Sequence, residues 1–188
     1  ISAADGNMVV DIGGGTTDIA VVSMNGVVAK SSVKMAGSKL DKAIVKYVSS
    51  RYRILIGEKT AENAKMAAAN VYSPDGSRKI VVKGRHLVRG LPEKVEVTDY
   101  DIYEAIIDSI REMISAVKDV MEKTPPELAG DIYRNGVYLT GGGAMLYGLD
   151  RLMSSELGVK CCVADDPISC VARGTVSAGW RSARVGGP

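Results

Sequence analysis

Short apolar runs near both ends of the chain and longer 3.6-residue periodicities between them predict strands and helices in alternation. Met8-Val9-Val10 is a wholly apolar strand running into Asp11-Ile12-Gly13-Gly14-Gly15-Thr16-Thr17-Asp18, after which Ile19-Ala20-Val21-Val22 resumes a strand-like pattern. The glycines therefore read as a turn between strands. Asn25-Gly26 before Val27-Val28 is the dipeptide of a tight type I′ hairpin, whose two central positions need positive φ, so a three-strand meander is expected. Ser38-Lys39-Leu40-Asp41 has capping-box spacing, and Leu40, Ile44, Tyr47 and Val48 then share one helical face as far as about Tyr52.

From Gly57 to Val97 the character changes. An alanine-rich helical stretch (Thr60 to Asn70), a Ser73-Pro74-Asp75-Gly76 turn and β-like segments at Lys79–Lys83 and Lys94–Val97 predict a small inserted α+β lobe. Thr98-Asp99-Tyr100-Asp101 is a second capping box. It opens a long helix with an apolar stripe of Ile102, Ile106, Ile110, Met113, Val117 and Val120, stopped by Pro125-Pro126. Val137-Tyr138-Leu139 reads as a buried strand entering Thr140-Gly141-Gly142-Gly143, followed by an amphipathic helix from Leu149 to Leu157 that stops at Gly158. The strand Cys161–Val163, an Asp165-Asp166-Pro167 turn and a final helix from about Ile168 complete the pattern.

The chemistry lies in the two triple-glycine loops, each of which follows a buried strand. Three glycines between strands let the backbone curl with N–H groups inward and let an anion approach without Cβ interference, a nest for phosphate; a plain tight turn is the alternative. Thr16 and Thr17 add hydroxyl donors, and Asp11 at the strand end carries a carboxylate to the edge of the site, where magnesium held mainly through water is a natural partner. Thr16 is also placed to orient an attacking water. The second loop, Thr140–Gly143, offers its backbone to a flat base and ribose or its amides to phosphate. Glu62 and Lys65, three apart on the alanine-rich helix, share a face and serve either a nucleoside or a solvated ion pair.

Composition narrows the class. With 188 residues, 46% apolar and 24% charged, the chain buries a real core, and a net charge of +2 with Lys and Arg scattered among carboxylates argues against a nucleic-acid partner. No apolar run reaches the roughly 18–20 residues of a membrane helix. Cys161, Cys162 and Cys170 are odd in number, which fits packed thiols in a reduced, cytosolic setting better than a disulfide or, with His86 far upstream, a zinc site. His86 itself reads as a loop or strand surface residue. An opening at Ile1-Ser2-Ala3-Ala4-Asp5 leads us to expect an excised or processed piece.

Together these residues resemble the actin-like ATPase superfamily and, within it, the MreB/Mbl family of bacterial shape-determining filament proteins. Asp11–Asp18 is similar to the family's second phosphate loop and Val137–Asp150 to its adenosine-binding stretch. Glu62-Asn63-Ala64-Lys65 is similar to its E-x-x-K, and Asp166-Pro167 with Cys170-Val171-Ala172-Arg173-Gly174 to its C-terminal signature. Pro125-Pro126-Glu127-Leu128-Ala129 adds to the match, which runs from about Met8 to Gly174.

The resemblance implies an α/β fold: a ribonuclease-H-like core with a mixed five-stranded sheet (residues 1–56 and 98–188) and a small lobe of the nucleotide cleft (57–97). It implies ATP or ADP with Mg²⁺ at Asp11. Gly13, Gly14, Gly15, Thr16 and Thr17 would cradle phosphate, with Thr16 orienting water; Glu62, Lys65, Gly141, Gly142 and Gly143 would hold the nucleoside. It further implies self-assembly into filaments beneath the cell membrane, in the cytoplasm, that work with the wall-elongation machinery to set rod shape.

The family's first phosphate loop and the glutamate that positions water have no counterpart here, so the chain is expected to be the C-terminal half. That half would need its N-terminal domain and turn over little ATP alone. A filament-contact module without turnover, and half of an actin-fold sugar kinase or Hsp70-like chaperone, are the competing expectations.

Overall fold

The computed structural model describes residues 6–24 and 26–168. Its main sheet has five strands in the order β3-β2-β1-β7-β8. In chain order the first three are β1 (Asn7–Ile12), β2 (Thr17–Ser23) and β3 (Gly26–Val33), which form an antiparallel meander, while β7 (Val137–Thr140) and β8 (Cys161–Val163) add in parallel on the other side of β1. As the middle strand, β1 buries Met8, Val10 and Ile12 on one face and leaves Val9 on the other face only partly exposed, so it reads as an apolar run rather than as a clean alternation. The sheet is mixed and five-stranded, as the resemblance implied. Ser23 pairs with Gly26 at φ +106°, so the hairpin link lies between them; Asn25, the other member of the predicted turn pair, is outside the described residues, as are Cys170, the rest of the 170–174 motif and the final helix beyond Ile168.

Helix α1 (Gly37–Tyr52) buries Leu40, Ile44 and Val48 as the periodicity requires, but its start differs from expectation. Its N-cap is Ala36, without a side-chain cap, and Ser38 and Asp41 form no capping box. The reason is that the first amides of the helix are already bonded: Gly37 N–H donates to Gly13 O (3.2 Å) and Ser38 N–H to Gly14 O (2.8 Å). The glycine loop caps the helix.

A second sheet, of order β4-β5-β6, joins β4 (Ile54–Leu55), β5 (Lys79–His86) and β6 (Pro92–Thr98) in antiparallel pairs, with α2 (Glu58–Ala68) packed on β5. β4 precedes the expected boundary at Gly57 and carries no legible signal, because two residues cannot show a period. His86 ends β5 half-buried, and its Nδ1 accepts the Val88 and Arg89 amides (both 3.2 Å), organising the β5–β6 turn.

Helix α3 (Asp99–Glu122) begins with the predicted capping box: the Thr98 hydroxyl accepts Asp101 N–H, and the Asp101 carboxylate accepts Thr98 N–H at 2.9 Å. All six stripe residues are buried, from Ile102 to Val120. Pro125-Pro126 does stop α3, but Pro126 is also the first residue of α4 (Pro126–Asn135), a helix the proline pair masked. Proline is favoured there because its missing N–H would have no helical partner anyway. The α5 helix (Leu149–Leu157) matches the expected bounds and stops at Gly158 in a left-handed conformation. Cys161 in β8 is buried, and desolvation raises its thiol to a pKa of about 11, so it is inert packing; Cys162 is a free thiol.

Asp101 also ties α1 to α3. It accepts the Tyr52 hydroxyl at 2.8 Å and the Tyr47 hydroxyl at 3.3 Å, while Tyr47 donates to Glu104 as well. Burial alone would raise the Asp101 carboxyl, but the Thr98 amide and the surrounding hydroxyls outweigh it and hold the carboxyl below its ordinary 3.8. A group depressed on folding stabilises the native state above its unfolded pKa and loses that contribution as pH falls through the folded value. Asp101→Asn should therefore lower unfolding free energy by about 1–3 kcal/mol at pH 7. The difference from wild type should shrink below about pH 4, as read from urea denaturation across pH.

Candidate functional site: a cleft between two glycine loops

The parallel pairing of β1 with β7 sets Asp11 opposite Thr140, so both strands end at the same height and the two glycine loops emerge side by side. Below them, Thr140 Oγ1 donates to Asp11 Oδ1 at 3.2 Å. Asp18 is the register partner of Asp11 across β2. Burial holds the half-buried Asp11 carboxyl above the usual carboxylate range; the Thr140 hydroxyl draws it back and the Asp18 charge pushes it up again.

Beside the loops opens a cavity of about 520 Å³, within the range of small-molecule sites. Its lining brings together Gly13 and Gly14 of the first loop, Glu62 and Lys65 of α2, and Gly142 and Gly143 of the second loop. Met66, Met145, Arg78 and Tyr147 add a soft, flat portion, in which the Arg78 guanidinium lies 4.5 Å from the Tyr147 ring centre. Those four were not singled out from the sequence, where a lone methionine or tyrosine gives no signal of a site.

Several predicted site residues lie elsewhere. Thr17 is fully buried with its hydroxyl donated to Met35 O, so it braces β2 against the segment before α1 and offers nothing to phosphate. Thr16 is exposed, donates to Asp18 Oδ2 at 3.1 Å and, with Gly15, is outside the cavity lining. Nor are all loop amides available: Gly13 N–H is held by Thr16 O and Gly141 N–H by Pro167 O (2.7 Å), whereas those of Gly14 and Gly15 donate to no backbone carbonyl among the described residues. The second loop runs first into a 3₁₀ turn, Gly142–Met145, and reaches α5 only afterwards.

Glu62 and Lys65 share a face but do not pair. Glu62 bonds Lys59 at 2.6 Å, and this neighbour holds its carboxyl below the usual range, whereas Lys65 Nζ turns inward to Asp41 Oδ1 at 2.7 Å and to Gly37 O at 3.2 Å. Asp41 was hidden in the sequence by its place in an apparent capping box.

The glycines divide by what a side chain would meet. At Gly141 (φ +81°) a Cβ would stand 2.4 Å from Ile12 O and 2.6 Å from Asp11 Oδ1, and at Gly143 it would stand 2.3 Å from Ile12 Cγ2, so the fold itself demands both. At Gly14, Gly15 and Gly142 nothing lies within 4 Å. A Cβ at these three positions would meet open space. Gly141→Ala should cost at least about 2 kcal/mol of stability and Gly142→Ala less than about 1 kcal/mol, measured side by side by chemical denaturation.

The MreB/Mbl protein family model matches residues 1–184. The cell shape-determining protein Mbl of Bacillus subtilis (strain 168) is 50% identical over 170 residues, which are 90% of this chain and 51% of that protein. The cell shape-determining protein MreB of Escherichia coli (strain K12) is 49% identical over 174 residues, 93% of this chain and 50% of that one. The crystal structure of MreB5 of Spiroplasma citri bound to AMPPNP superposes with a TM-score of 0.88 at 36% identity, covering 93% of this chain and 53% of that chain. The MamK double helical filament, at 21% identity and a TM-score of 0.75 over 94% of this chain and 54% of its own, shares the fold. The chain spans about half the length of the curated relatives it matches. On the family match and these identities, this chain belongs to the MreB/Mbl family, with the actin-like α/β fold.

Proposed function

We propose that this chain is the C-terminal, nucleotide-binding half of an actin-like cytoskeletal ATPase that assembles into filaments governing rod shape and wall synthesis. The observation that carries the reading is that one and the same cavity is lined by both glycine loops and by Glu62 and Lys65. Phosphate oxygens would lie on the open side of Gly14, where loop amides have no other backbone partner, and the nucleoside between α2 and Gly142–Gly143. Glu62, on the α2 wall of the cavity, would meet a ribose hydroxyl or the edge of the base. Support comes from solved relatives, MreB5 of Spiroplasma citri bound to AMPPNP and to ADP.

A magnesium ion that keeps most of its waters would be held at Asp11, a strand-end carboxylate just outside the cavity lining, with the Asp18 carboxylate across the strand pair. Magnesium would supply charge neutralisation for the phosphate chain. Thr16, bonded to Asp18 at the mouth of the loop, would orient water. Residues 57–97 would form one lobe of the cleft. Phosphoryl transfer relies on donors arranged around the whole transferring group. We therefore expect turnover to need an N-terminal domain, and filament assembly, the cytoplasmic face of the membrane and the wall-elongation machinery to be the setting of the complete protein.

Titration calorimetry of ATP and ADP with magnesium against wild type and Gly14→Val tests this reading. Binding should be measurable in wild type and fall at least about tenfold in the variant, since two methyl groups would fill the cradle. Equal binding in both would remove phosphate from the loop, and no binding in wild type would leave the chain as a filament-contact piece.

A further inference from the structure

Lys65 belongs to the motif expected to touch a nucleoside, yet its ammonium is committed inside the protein. It reaches Asp41 Oδ1 at 2.7 Å with both side chains only 12% exposed, and it donates to Gly37 O at 3.2 Å. By contrast, the neighbouring Lys59–Glu62 pair has side chains 79% and 40% exposed. The partners of Lys65 lie on α1, so one side chain of α2 holds the first turn of α1. That turn in turn holds the phosphate loop, through Gly37 N–H to Gly13 O and Ser38 N–H to Gly14 O.

Gly37 is the junction of these links. A Cβ there would stand 3.5 Å from Lys65 Nζ, 3.6 Å from Gly13 O and 3.7 Å from Gly14 Cα. The contact at Asp41 Oδ1 is an ion pair without hydrogen-bond alignment, so this buried oxygen depends on the ammonium charge alone. Remove the Asp41 charge and the Lys65 ammonium keeps only its bond to Gly37 O; remove the Lys65 charge and both polar links are lost, leaving apolar packing between α1 and α2.

We infer that Asp41 is a positioning residue for the phosphate loop: through Lys65 and the first turn of α1 it fixes where Gly13 and Gly14 stand in the cavity. Asp41 stands in the cavity lining, but its Oδ1 is turned to the Lys65 ammonium, and its part is to hold that side chain in place. The inference rests on the reading of the cavity as a nucleotide site for its ligand, but the relay from Lys65 to the loop is a property of the protein alone. Its signature is therefore selective. Loss of Asp41 should weaken ligands that carry phosphate and spare those that do not, whereas a Lys65 that gripped the nucleoside would weaken both equally.

The test uses the full chain in four forms: wild type, Asp41→Asn, Lys65→Met, and the two together. Amide hydrogen exchange without ligand should be at least about fivefold faster at Gly37 and Ser38 in each single variant, with α3 unchanged. Calorimetry with magnesium should show ADP weakened about tenfold by Asp41→Asn and adenosine changed less than about twofold. Unchanged exchange at Gly37 and Ser38 in folded Asp41→Asn, or equal weakening of adenosine and ADP, overturns the inference. If Asp41→Asn does not fold, the double variant, which leaves no unpaired charge, takes its place under the same criteria. Absence of ADP binding in wild type would defeat the nucleotide reading, and the exchange result would still decide the relay.

Discussion

The register of β1 against β7 is the constraint on which the rest depends. A parallel pair can place two strand ends at one edge only if both chains run the same way and the connection between them is long. Here that connection contains the whole second sheet and the α3 and α4 helices. Because Asp11 faces Thr140, the loop after each strand begins at the same level, and two glycine segments 128 residues apart in sequence (from Gly13 to Gly141) become two walls of one cleft. A slip of one residue would turn every β1 side chain to the opposite face and take Asp11 away from Thr140.

Much of this was legible beforehand, for identifiable reasons. Strands β1, β2, β7 and β8 and helices α3 and α5 carry long or clean patterns, and a real capping box marks the start of α3. The false box at Ser38–Asp41 shows the limit of spacing alone: the same residue types in the same order serve another purpose when distant carbonyls reach the helix amides first. β4 was too short to carry a pattern, and α4 was concealed because a proline pair signals both an end and a beginning.

The site was legible in outline and not in its detail. Glycine triplets after buried strands located the cleft, and Glu62 and Lys65 were placed on its wall. Sequence could not say which loop hydroxyls turn outward, and Thr17 turned inward because it sits at a buried register position of β2. Nor could it pair Lys65 with Asp41, a contact made between two helices whose packing depends on the whole core. Long-range polar contacts of this kind leave no period in the chain.

The Lys65–Asp41 contact has a further consequence in how it responds to ionic strength. Charges in open water are screened over about 8 Å at physiological salt, and pairs removed from solvent are screened far less. The peripheral pairs Lys59–Glu62, Lys79–Glu96 and Lys118–Glu156 thus loosen as salt rises, while the joint between α1 and α2 keeps its strength. The molecule becomes softer at its rim than at this joint, and osmotic upshift would leave the geometry of the joint as it was.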